Sequence, residues 1–158
     1  MSSNPATGTG LALDAEEADA VAVAADRYAA VLPPDRAAPY QALARAAADG
    51  WIPDDLVEAA ERVTAVSLQT GRARRDGYPV AERLLAAVYR RTSAGQALAS
   101  RVQEVNQALT AFAGRQLRTA RAAATAPGCY TLTLEADGAT VTLTVDAAGI
   151  NVRSLYVG

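Results

Sequence analysis

The sequence predicts an α+β protein: an N-terminal antiparallel helical section of about five helices, then a C-terminal three- or four-stranded antiparallel β-meander covered on one face by helices. Three observations carry this. Apolar residues recur at helical spacing up to about residue 113 and at period two after Gly114. Asp137-Gly138 sits between two alternating runs, a strong signal for a two-residue hairpin. Alanine supplies 39 of the 158 residues, which favours helix but buries little area per residue. Packing must therefore rest on Leu, Val and Tyr. The length suits one domain over 13–158, helical over 13–113 and a meander over 115–158, with a flexible tail over 1–12.

Each element has its own signature. Residues 1–12 are small, polar and Gly/Pro-bearing, and are expected to be mobile. From Asp14 to Leu32 the stripe Val21, Ala24, Tyr28, Leu32 is helical, and Asp14, Glu16, Glu17 and Asp19 crowd the end where the helix dipole favours negative charge. Pro33-Pro34-Asp35 ends it. A short helix through Tyr40 and Leu43 stops at Asp49-Gly50, where glycine accepts the left-handed position. Pro53, Asp54 and Asp55 then open a helix that buries Leu56, Val63 and Val66. Gly71, Gly77 and Pro79 are expected to break the chain before a fourth helix over 80–91, with Leu84, Leu85 and Val88 apolar. Ser93 and Gln96 have capping-box spacing. Beyond them Leu98, Val102, Val105, Leu109 and Phe112 step by four, three, four and three residues, a packing face that predicts burial of all of them.

After Gly114 the pattern is that of strands. Residues 115–125 read as a first strand, because Gly114 interrupts helix and Pro127-Gly128 turns the chain. Tyr130, Leu132 and Leu134 share a face, as do Val141, Leu143 and Val145. Residues 146–149, "DAAG", suit a turn closed by a left-handed glycine, and the last strand follows from Ile150. The sheet is thus expected only in the C-terminal portion, with no strand between 14 and 66.

Composition excludes much chemistry. Histidine, the commonest acid–base group and metal ligand, is absent, and so is lysine, so no side chain can form a Schiff base. All fifteen cations are arginine, a usage that fits a GC-rich bacterial genome. One cysteine, Cys129, cannot make an internal disulfide, and no C-x-x-C pair offers a zinc site. As a nucleophile Cys129 needs a nearby cation such as Arg121 or Arg153; as a small buried apolar residue it needs nothing. Asp54, Asp55 and Glu58 can hold a cation or act as acid and base, but they equally form an acidic helix N-terminus. The threonines at 131, 133, 142 and 144 form a polar ladder of solvated β-branched positions. No catalytic, cofactor-binding or metal-ligating residue is assigned. "MSSNPATGTG" shows no secretory signal, and no apolar run is long enough to cross a bilayer, so the expected location is cytoplasmic, with no membrane partner.

Charge is the most informative feature. Residues 1–61 carry eleven acids and three arginines; residues 62–121 carry eleven arginines and three acids. Equal and opposite blocks point to neutralisation, within the chain or across a homo-oligomer. The expected role is therefore a non-catalytic protein–protein interaction or assembly protein acting through charge-complementary helical surfaces. The residues expected to carry it are Arg72, Arg74, Arg75, Arg90 and Arg91, with Trp51 as an aromatic anchor or as a staple for its helix. The alternative is a nucleic-acid-associated regulator using the arginine-rich 62–121 segment, although few aromatics interleave the arginines to stack bases. A small enzyme using carboxylates or Cys129 comes third.

Overall fold

The computed structural model describes residues 10–158, except for the side chains of 72–79. Five helices precede a four-stranded antiparallel sheet, and a two-stranded sheet lies near the N-terminus. The chain divides into two compact units, Met1–Gln96 and Ala97–Gly158, with the division inside a helix. The change from helical to strand period at Gly114 falls within the second unit.

The first unit opens with β1 (Gly10–Ala12), which pairs antiparallel with β2 (Trp51–Pro53), Leu11 opposite Ile52. Two expectations are corrected here. Residues 10–12 take part in the fold rather than in a mobile tail, and a strand does occur between 14 and 66. The cause is close approach: a Cβ on Gly10 would lie 2.4 Å from the Ile52 carbonyl oxygen and 2.7 Å from the Trp51 ring. Three-residue strands carry too little alternation to announce themselves.

Helix α1 (Ala15–Ala29) starts at a capping box in which Asp14 accepts from the Glu17 N–H and Glu17 accepts from the Asp14 N–H. Helix α2 (Pro34–Ala48) begins with proline at its first position and ends where Gly50 takes φ 78°. Helix α3 (Asp54–Gln69) follows Pro53 as expected. Their small residues bring the helices together around Val21, Ala25, Leu43, Ala47, Ile52, Ala60, Val63 and Val88, all fully buried. Tyr28 and Tyr40 meet edge to face, ring centroids 4.6 Å apart. Thr64, also fully buried, satisfies its hydroxyl on the Ala60 carbonyl.

Helix α4 (Arg72–Arg91) corrects a further expectation, because it runs through Gly77 and Pro79 instead of starting at 80. Proline removes one backbone donor and glycine lowers helix propensity. The helix nevertheless continues through both, and its later turns pack Leu85 and Val88 into the core. Helix α5 (Ser93–Thr110) is capped one residue earlier than the Ser93–Gln96 spacing implies: the buried Thr92 hydroxyl accepts from the Gly95 N–H at 3.2 Å. Gly95 is required there, since a Cβ would lie 1.9 Å from the Tyr89 carbonyl oxygen.

In the second unit β3 (Leu117–Ala126), β4 (Cys129–Ala136), β5 (Ala139–Asp146) and β6 (Gly149–Val157) pair in sequence order. The segment read as a first strand is one. Leu132 faces Leu143, and Leu134 faces Val141, so one face is apolar; Thr131 faces Thr144 and Thr133 faces Thr142 on the other. Val105 and Ala108 of α5, with Leu109 and Phe112, pack on Val141 and Leu143. The predicted stripe is buried only in this half. Leu98 and Val102 are 37% and 40% exposed, against the expected burial. Leu98 lies beside Gly149, where β6 begins, and stays partly open to solvent there.

Candidate functional site

Among the described residues the charge blocks meet at the exposed Glu58–Arg62 pair and, more closely, at a partly buried pair. Arg91, in the last turn of α4, donates to Glu17 at 2.6 Å and to the Ala12 carbonyl at 2.8 Å. Glu17 is nearly buried, so its capping role and its ion pair share one carboxylate in a partly desolvated position. Glu61 of α3 accepts from the Ala94 N–H at 3.1 Å, placing an acid at the start of α5. Most other acids of the first block, including Glu16, Asp19, Asp26, Asp35, Asp54, Asp55 and Glu58, are exposed.

The arginines expected to carry the interaction separate. Arg91 is committed to Glu17. Arg90 is exposed and donates to the Ala86 carbonyl of its own helix. The side chains of Arg72, Arg74 and Arg75 lie outside the described residues. Farther along, Arg101 donates to the Ala148 carbonyl, and Arg118 pairs with Asp137 of the hairpin. So part of the basic block is answered by the meander rather than by the acidic helices. Trp51 is half-buried, with its ring close to Gly10 of β1.

The other candidates come apart in space or stay on the surface. Asp54, Asp55 and Glu58 are exposed at the start of α3, and Glu58 pairs with Arg62 one turn on, at 3.5 Å. Among the described residues no group of three or more Cys, Asp or Glu side chains is placed to hold a metal ion. Cys129 is half-buried opposite Ala126 at the end of the β3–β4 ladder, whereas Arg121 pairs opposite Thr133 farther along it. No helix is long and apolar enough to cross a membrane among the described residues.

A groove in the first unit was not among the features the sequence singled out. It is an open groove of about 640 Å³ between α1, α3 and α4. Its lining includes Glu16, Asp19, Ala20, Val23 and Arg27 of α1, Val31 just past that helix, Val66 of α3, and Val80 and Leu84 of α4. Val23, Val31 and Val80 are 41%, 65% and 48% exposed. A contiguous set of exposed valines is unlike the scattered apolar residues of an ordinary surface. A signal existed: Val23 lies off the core stripe of α1, and Val31 follows just past the helix end.

Searches of family models, of curated proteins and of solved structures each return no match to this chain.

Proposed function

We propose that the chain is a non-catalytic protein–protein interaction or assembly protein, working in the cytoplasm, whose helical unit docks a partner through apolar contact and complementary charge. The observation that carries this reading is the α1–α3–α4 groove. Its lining exposes three valines, its α1 wall begins with the carboxylates of Glu16 and Asp19, and Arg27 follows about two turns from Asp19, between Val23 and Val31 in sequence. Exposed apolar side chains interleaved with charge suit a recognition surface: burial supplies affinity, and charge sets orientation and partner choice. The residue types support the absence of catalysis, since neither histidine nor lysine is present and Cys129 has no cation beside it in the strand pairing.

The test is site-specific photo-crosslinking in cells that express the chain natively. A photoreactive residue at Val31 is expected to give one or a few discrete adducts, and the same residue at the exposed Gln41 on α2 none. Equal labelling from both positions, or none from Val31, overturns the reading.

A further inference from the structure

The groove's own α1 wall is the complement that the groove requires. Along α1 the exposed lining residues run acid, acid, valine, arginine (Glu16, Asp19, Val23, Arg27), and Val31 follows just past the helix end. Asp19 and Arg27 each stand four residues from Val23, on opposite sides of it and on the same helix face. At 1.5 Å per residue that places the two charges about 6 Å from Val23 along the axis. The pattern is therefore self-complementary when reversed.

We infer that the groove is occupied by the same α1 face of a second copy of this chain, paired antiparallel about a two-fold axis at Val23. The inference rests on the docking reading above and names its partner. In this arrangement Asp19 of each copy lies level with Arg27 of the other, giving two symmetric ion pairs around a Val23–Val23 contact. A parallel pairing is disfavoured, because it sets Asp19 against Asp19 and Arg27 against Arg27. Ala20 and Ala24 line the same wall, and small side chains there allow close helix approach. Val80 and Leu84 of α4 then flank the partner helix from the other side. An isologous contact of this kind closes on itself, so it yields a dimer rather than a filament.

Charge reversal tests the pairing in the full chain. Sedimentation equilibrium should show a wild-type dimer. Asp19→Arg and Arg27→Asp, taken singly, should each weaken it by about ten-fold or more, because each sets like charges together. An equimolar mixture of the two variants should form a heterodimer, and the double variant Asp19→Arg/Arg27→Asp should regain the homodimer. Arg27 also has an interaction within its own chain, so recovery rather than single loss is decisive. A second measurement does not depend on it: with Cys129→Ser, mild oxidation of Val23→Cys should give a disulfide-linked dimer, and Gln41→Cys should not. A monomeric wild type, a double variant no tighter than the singles, or no link through residue 23 overturns the inference. If the chain is monomeric and Val31 still crosslinks to another protein, the second copy is wrong and the docking reading stands; failure of both removes both.

Discussion

The two units solve the same problem with different means. In the helical unit alanine is an asset. Ala25, Ala37, Ala44, Ala47 and Ala60 are buried, and their small side chains let helices approach until Val21, Leu43, Ile52, Val63 and Val88 lose all contact with solvent. In the second unit alanine is nearly wasted. Ala120, Ala122, Ala123 and Ala124 lie along β3, where every residue but Thr119 is exposed. A pleated edge strand offers alanine nothing to close upon, and alanine has little β-propensity of its own. One helix covers this sheet, and its buried contacts reduce to Val105, Ala108, Val141 and Leu143. The same residue type thus builds a core between helices and leaves a strand bare.

Substitutions should divide along this line, and the largest effects lie where the second core is thinnest. Val105→Asp or Val141→Asp places an unpaired charge where solvent is excluded. Amide-exchange protection across 97–158 is expected to be lost, and a cooperatively folding Asp variant would show that α5 does not cover the sheet.

Next comes the packing difference. Leu43→Ala in the helical unit should cost about 2–5 kcal/mol in denaturant unfolding, because the residue is fully buried. Leu98→Ala, on a partly exposed site, should cost under about 1 kcal/mol. Similar costs for the two would erase the distinction between the core of the helical unit and the exposed start of α5.

A smaller effect is expected where the charge blocks touch. Glu17→Gln removes the charge from a carboxylate that serves both the α1 cap and Arg91, and should destabilise by about 1–3 kcal/mol. A stability change indistinguishable from that of Glu58→Gln, whose pair with Arg62 is exposed, would contradict a special role for the Glu17 pair. The smallest effect belongs to β3: Ala122→Thr should change stability by no more than about 0.5 kcal/mol, and a large loss would mean that this strand is covered.

Legibility in the sequence followed the length of each pattern. Long periodic segments declared themselves: the α1 stripe, the α3 start at Pro53, and the strands around Asp137-Gly138, whose glycine takes φ 70°. Three features did not. β1 and β2 are too short for period two to register, and Gly10 is explained only by Trp51 lying over it. The α4 start hid behind Gly77 and Pro79, since local propensity says break while the helix runs through both. How far the Leu98–Phe112 stripe is buried depends on the sheet packed against it, which no helix pattern encodes. The groove was half visible. Val23 lies off the core stripe of α1, but only the three-helix packing shows that Val31 and Val80 line the same groove. The opposite charge blocks could not say that Arg91 would be spent on Glu17 and Arg118 on Asp137.

The most direct test of self-pairing through the docking surface is methyl-resolved NMR of the full chain across a dilution series. The account predicts that the Val23, Val31 and Val80 methyl signals shift together with concentration. Those of Val141 and Val152, packed under α5 in the second unit, should hold still. Concentration-dependent shifts confined to Val145 or β3, or valine signals unchanged at every concentration, would contradict that pairing.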